Sequence, residues 1–339
     1  MCDRQQLSQK TYVRERTMLD EAKRDRHAFF YIDSRYDDLH DQTSNPLKVI
    51  RIYLSRAPLP RLSMVYVTAL FAGASLTALG TNSTVGRLGA IATTTATGLL
   101  TLWTLNLCDE MLDLEADRVA HPERPIASNA VTIRDTLLVA IALLATCVAL
   151  NFGHALRDGL FYSAMIGLDL TILLLSGRLK IPAVNELIVP ALWAAMPIYM
   201  FWVLNPAEMP SAAVLALFCY MTDLASDIPG GIQDLAGDLT QGIRTVAGAI
   251  GTRGAAITAL LVFTASALPL RMFLVSRNVP RWCQGLELLM FLWALLAFVR
   301  LVRDGSERNC QIARAIAFHF VSLTYIFMGV IFAAESALR

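Results

Sequence analysis

Nine stretches of roughly 18 to 23 apolar residues recur along this chain, and that is the length a helix needs to cross about 30 Å of hydrocarbon. They fall at 62–80, 88–108, 136–153, 159–176, 184–204, 211–227, 255–276, 284–302 and 314–335. Inside lipid each backbone N–H and C=O must be satisfied within its own segment, so the stretches are expected to be helices. The expected fold class is therefore all-α, a polytopic membrane bundle of nine transmembrane helices around a central cavity. Composition agrees, with 55% hydrophobic residues, 17% charged residues and a mean hydropathy of +0.50. The net charge of +1, with no dense basic stripe, argues against nucleic acid as a partner.

Residues 1–47 differ in kind, carrying charged runs such as ERTMLDEAKRDRH and no apolar segment. They are expected to form a polar cytosolic segment, partly disordered, ahead of a membrane domain over 48–339. Lys48, Arg51, Arg56 and Arg61 crowd the entry to the first span. With the N-terminus inside, the loops 109–135, 177–183, 228–254 and 303–313 are cytosolic; with their immediate flanks they hold Arg118, Arg124, Arg134, Arg178, Lys180, Arg244, Arg253, Arg303, Arg308 and Arg314, against Arg87, Arg157, Arg277 and Arg281 in the outer loops, as the positive-inside rule expects. The six cysteines are scattered without a CxxC pair, which fits buried thiols and not a disulfide frame or a metal site.

Two of those inner loops carry carboxylates in matching patterns. DEMLDLEADRVAHPERPIAS contains Asp113 and Asp117; DIPGGIQDLAGDLTQGIRT contains Asp234 and Asp238. Asp-x-x-x-Asp puts both side chains on one helix face, one turn apart. The loops follow spans two and six, a pattern expected of a duplicated helical unit whose clusters face each other across the cavity. Asp109, Glu110, Asp113 and Asp117 on one side, with Asp227, Asp234 and Asp238 on the other, would repel severely in a partly dry site without cations. All-oxygen donors point to Mg²⁺, which keeps several waters and bridges to phosphate oxygens; zinc is not expected.

Arg124, together with Arg178 and Lys180 in the loop SGRLKIP, adds positive charge on the same face and suits phosphate oxygens. The expected ligand is a diphosphate whose tail lies among apolar helices. Cations around a diphosphate stabilise it as a leaving group, and departure from an allylic carbon leaves a delocalised carbocation. A bound nucleophile could then be alkylated, or the chain's own double bonds could close a ring.

DEMLDLEADRVAHPERPIAS resembles the first aspartate-rich motif of the UbiA superfamily of intramembrane prenyltransferases, usually NDxxDxxxD with Arg-Pro following. DIPGGIQDLAGDLTQGIRTVAGAIG resembles the second motif, and SGRLKIP is similar to the superfamily's basic loop. The resemblance implies a Mg²⁺-dependent transfer of a prenyl group from a polyprenyl diphosphate to a small-molecule acceptor, often aromatic. It implies metal ligation by Asp113, Asp117, Asp234 and Asp238, with Asp109 and Asp227 beside them, and diphosphate binding by Arg124, Arg178 and Lys180. One departure stands out: Asp109-Glu110 replaces the usual Asn-Asp. Some members of the superfamily are terpene cyclases, which need no acceptor, and the altered motif raises that alternative. An ion-coupled transporter is a third reading, weaker because the acids sit at helix mouths and not at mid-span.

Polar residues within or beside spans are further candidates for the acceptor or cavity: Asp169, Asn185, Glu186 and Asp223. Each also has a plain structural reading as a buried partner or helix cap. His319 and Tyr325 could face the cavity or simply pack. Trp103, Phe161, Tyr162, Trp193, Tyr199, Phe201 and Trp202 could line a prenyl tunnel or sit in interfacial belts.

Overall fold

The computed structural model describes residues 45–56, 60–80, 87–120, 122, 124–176, 184–235 and 245–338. Most of the polar segment 1–47, the basic loop with Arg178 and Lys180, and Asp238 lie outside them. The helices are α1 (Pro46–Arg56), α2 (Pro60–Leu79), α3 (Leu88–Leu112), α4 (Leu114–Ala120), α5 (Ile133–His154), α6 (Leu156–Ser176), α7 (Val184–Ile188), α8 (Pro190–Leu204), α9 (Met209–Gln233), α10 (Val246–Ser276), α11 (Arg281–Arg303) and α12 (Glu307–Leu338). The described residues form no strand. Eight helical segments are long and apolar enough to cross a membrane, and the apolar helix Val65–Leu79 occupies the place of the first expected span.

Spanning helices pack in chain order into a closed ring, in which α12 returns to α2. Contacts of α9 with α12 and of α2 with α8 cross its interior. Lipid tails are as apolar as leucine, so the helices associate through close packing and hydrogen bonds and not through exclusion of water. Gly73 on α2 meets Gly329 on α12 so closely that a Cβ at either would sit 2.7 Å from the other helix's backbone. A buried polar network ties α3, α5 and α8: Asn151 Nδ2 donates to Thr97 Oγ1 at 3.0 Å, and the Tyr199 hydroxyl donates to Asn151 Oδ1 at 2.6 Å. Tyr162 on α6 shares a 2.8 Å hydrogen bond with Thr101 on α3.

Several helices outrun their apolar stretches at the end of the bundle that carries the aspartates. α3 continues past the expected residue 108 to Leu112, and α9 past 227 to Gln233, so each ends at the first aspartate of its Asp-x-x-x-Asp pair. Expected span 255–276 begins earlier, at Val246, with a break at Gly251, whose φ of 79° suits glycine. Thr245 caps that start, its Oγ1 accepting from Gly248 N at 3.1 Å.

α1, expected only as a basic flank, packs on α5. Val49 and Ile52 join Leu107, Leu114, Ile126 and Val139 in a small second core beneath the first aspartate cluster.

Candidate functional site

Both aspartate motifs begin where a helix ends. α3 stops at Leu112, Asp113 takes φ −91° and ψ 8° as its C-cap, and α4 starts again at Leu114. The break leaves the helical bonding intact, since Asp113 N donates to Asp109 O at 2.9 Å and Asp117 N to Asp113 O at 2.8 Å. Asp109, Asp113 and Asp117 thus rise as three successive turns. α9 mirrors this: Asp234 is its C-cap, with φ −88°, ψ −1° and its N–H bonded to Gly230 O at 2.9 Å. Two and three turns further in lie Asp227 and Asp223, and Pro229 between them and the cap removes one backbone donor from the helix.

The structure brings the two motifs together. Asp109 on α3 lies within electrostatic reach of Asp117 and Arg124 on its own side and of Asp234 and Arg314 on the other. Asp227 feels Arg314, Asp109 and Glu186. Asp117 is buried, and Arg124 Nη1 lies 2.7 Å from its Oδ1 and 2.8 Å from its Oδ2. Burial works against the charged form of Arg124, but Asp117, with Glu110 and Asp234 beyond it, outweighs that and holds its pKa above the ordinary arginine value. The turn after it is anchored by buried Pro125 and Ile126, with Ser128 N bonded to Arg124 O at 2.8 Å. Arg118, by contrast, pairs with exposed Glu115 at 2.7 Å.

Arg314 on α12 is the residue that sequence reasoning missed, counting it only among the arginines of the inner face. Its guanidinium lies over Gly230, where a Cβ would come within 3.3 Å of Cζ. Nη1 donates to Gln233 Oε1 at 3.1 Å, a neutral partner, and among the described residues Arg314 forms no ion pair. A cation held between carboxylate clusters without being paired to one is suited to an anionic ligand.

From this charged mouth a cavity of ≈ 320 Å³ runs between α2, α8, α9 and α12. Asp223, Asp227 and Arg314 line its polar end; Leu70, Phe71, Trp193, Met196, Met200 and Phe318 supply its apolar wall. Tyr325 also lines it, its hydroxyl 3.0 Å from Cys219 Sγ. Of the expected tunnel aromatics, Trp193 is on this wall. Tyr162 and Tyr199 belong to the buried network, while Phe161 stacks on Trp202 at 4.5 Å, beneath Arg157. His319 faces outward, paired with Tyr66 at 3.1 Å.

Two further candidates have other surroundings. Glu186 is buried and its Oε1 accepts from Val246 N at 2.8 Å, so it caps the start of α10 across 60 residues and fixes the chain that follows the second motif. Asp169 is buried on α6, which forms no wall of this cavity. The Asn185 side chain lies outside the described residues.

The donor set fits Mg²⁺. All its members are carboxylates, and among the described residues no three His, Cys, Asp or Glu groups converge into a ready-made metal cage. Mg²⁺ is commonly held by one or two carboxylates from the protein plus substrate phosphates, which is what opposed, separated aspartates offer.

A family model described as "UbiA prenyltransferase family" matches residues 65–323. Digeranylgeranylglyceryl phosphate synthase of Thermococcus kodakarensis is 29% identical over 171 residues, 49% of this chain. The match spans 60% of that relative's length. Among solved structures, an apo UbiA homologue from Aeropyrum pernix K1 superposes with a TM-score of 0.63 at 15% identity, covering 79% of this chain and 97% of that one. A UbiA homologue from Archaeoglobus fulgidus, bound to GPP and Mg²⁺, gives a TM-score of 0.55 at 15% identity over 81% and 98% of the two chains. The family model covers well over half of the chain, and the chain belongs to the UbiA prenyltransferase family.

Proposed function

We propose that this chain is a Mg²⁺-dependent intramembrane prenyltransferase that ionises a polyprenyl diphosphate and passes the prenyl group to a small-molecule acceptor. The observation that carries this reading is the cavity itself: an apolar chamber whose one polar end joins Asp223, Asp227 and Arg314 to the opposed motif around Asp109 and Asp117. A diphosphate ester has that same division into an anionic head and an apolar tail. The aspartate end faces the cytosol in this reading, because the basic residues gather there.

Asp113, Asp117, Asp234 and Asp238 are assigned as metal ligands, with Asp109 and Asp227 beside them. Bound Mg²⁺ supplies positive charge that stabilises the departing diphosphate. Arg314 offers further N–H donors to its oxygens, alongside Arg124, Arg178 and Lys180. The apolar wall keeps water from the allylic cation. The named relatives, digeranylgeranylglyceryl phosphate synthases, put geranylgeranyl diphosphate and a glyceryl phosphate acceptor first in a substrate panel.

The test is diphosphate release by purified membranes given geranylgeranyl diphosphate, with Mg²⁺ or with EDTA. Mg²⁺-dependent release is expected; its absence with every prenyl diphosphate tried would sink the reading and favour a carrier. Asp109-Glu110, in place of Asn-Asp, supports a second reading as a terpene cyclase, which predicts a cyclic product from the prenyl diphosphate alone.

A further inference from the structure

The last turns of α9 carry two adjacent glycines, and the space above each is filled from another helix. On a helix turning roughly 100° per residue, Asp227, Gly230, Gly231 and Asp234 fall within an arc of about 100°, so all four share one face. Arg314 lies over Gly230 from α12. Over Gly231 lies Glu186 from α7: a Cβ there would come within 3.0 Å of its Oε1 and 3.4 Å of Thr245 Cβ. The glycine pair thus admits a cation to one side of the stripe formed by Asp227 and Asp234, and a further carboxyl group to the other.

The two oxygens of Glu186 have different surroundings. Oε1 accepts from Val246 N at 2.8 Å, which pins the side chain. Oε2 is buried, on a residue only 6% exposed, and has no hydrogen-bond partner among the described residues. Capping Val246 needs one oxygen and no charge, so a glutamine would serve equally. A glutamate instead places a second buried carboxyl group within electrostatic reach of Asp227, and like charges at a buried site repel. A water can bond to Oε2, but it leaves that repulsion in place; a cation removes it.

We infer that Glu186 is a further carboxylate of the metal site, its Oε2 joining Asp227 on a Mg²⁺ whose other positions go to water and diphosphate oxygens. This rests on the Mg²⁺-dependent reading and deepens it, extending the ligand set from the two aspartate motifs to α7. Because the same carboxyl group holds Val246, metal bound there also ties the end of α9 to the start of α10.

Glu186→Gln separates the two oxygens, since its amide oxygen can still cap Val246 while its amide nitrogen cannot bind a cation. The full chain in detergent is titrated with MgCl₂ at fixed inorganic diphosphate, and the shift in thermal unfolding gives the apparent Mg²⁺ dissociation constant, with EDTA giving the metal-free midpoint. The variant is expected to bind Mg²⁺ ~10-fold or more weakly, with a metal-free midpoint at or above that of the unaltered chain. In membranes, the Mg²⁺ concentration for half-maximal diphosphate release from geranylgeranyl diphosphate should rise in parallel. Gly231→Ala presses on the carboxyl group from α9, so it should weaken Mg²⁺ by a smaller factor, and it carries the test should glutamine disturb the fold. A Mg²⁺ constant unchanged in the folded variants makes Glu186 a helix cap alone and overturns the inference while the metal reading stands. An unaltered chain that gains no stability from Mg²⁺ and releases no diphosphate overturns the metal reading and this inference with it.

Discussion

The two aspartate-bearing helix ends look like copies, but they treat their charges differently. At the first, Asp117 is buried against Arg124 at 2.7 Å, and the turn that follows is pinned in a small apolar core. At the second, Asp223 and Asp227 line an open cavity, and the nearest assigned cation, Arg314, is bonded to a neutral amide. One end has its counter-ion built in; the other keeps carboxylates and a cation apart. Both ends are assigned metal ligands, but only the first has one of its carboxylates already paired with an arginine, so substituting the arginine at each end should separate stability from substrate binding.

The largest effect tests what the ends share. Asp113→Ala and Asp234→Ala should each lower diphosphate release roughly a thousandfold, equivalent to ~4 kcal/mol of lost transition-state stabilisation. EDTA should do the same to the unaltered protein. Membrane insertion and thermal unfolding should stay near normal, because alanine keeps the backbone N–H by which each residue caps its helix. Near-normal turnover in either variant would remove the metal assignment at that end.

A matched pair then tests what they do not share. Arg314→Gln should raise the KM for the prenyl diphosphate ~10- to 100-fold, with little change in unfolding, since it gives up one hydrogen bond to Gln233. Arg124→Gln, besides weakening diphosphate binding, should cost about 1–3 kcal/mol of stability, seen by thermal or denaturant unfolding in detergent, because it removes the arginine paired with the buried Asp117 carboxylate. Arg124 is partly exposed, which holds this figure to the low end. The same stability loss in both variants would erase the distinction drawn between the two ends.

Why the spans and the acidic clusters were legible in the sequence, and Arg314 was not, has a physical explanation. Lipid leaves few solutions for a backbone, so the apolar stretches marked where the helices lie, though α10 starts at Val246 and α12 at Glu307, well before the stretches 255–276 and 314–335. Both clusters could be placed at helix mouths because charges are expelled from the slab. Arg314 lies 80 residues beyond Asp234, and its place over Gly230 depends on how α12 crosses α9, which periodicity along one helix does not encode. Glu186 capping α10 and Asn151 joining α3 to α8 are tertiary in the same way. In sequence Asp169 stands alone in its apolar run, while Asp223 lies one turn before Asp227 on the same helical face; the packing of α9 into the ring puts Asp223 on the cavity wall, and α6, which carries Asp169, forms no part of it. The break at Asp113 was hidden because Asp-x-x-x-Asp reads as continuous helix, and the hydrogen bonds indeed continue across it.

The smallest expected effect concerns Asp109-Glu110, where the first end departs from the usual Asn-Asp. Asp109 sits near Asp117 and Asp234 with Arg124 and Arg314 as partial compensation, so before metal binds its charge adds to the repulsion between the two ends. Exchanging both residues, Asp109→Asn with Glu110→Asp, removes one negative charge and shortens the neighbouring carboxylate by one methylene. Without metal the double variant should therefore be more stable, by about 1 kcal/mol at this partly screened site. With metal the gain should shrink or reverse, because one fewer carboxylate attracts Mg²⁺. Unfolding curves in EDTA and in a Mg²⁺ series check both halves, and turnover at saturating Mg²⁺ should change less than about tenfold. Stabilisation by Mg²⁺ equal to that of the unaltered chain would mean that Asp109 does not share the metal field, and the first end would then hold its metal through Asp113 and Asp117 alone.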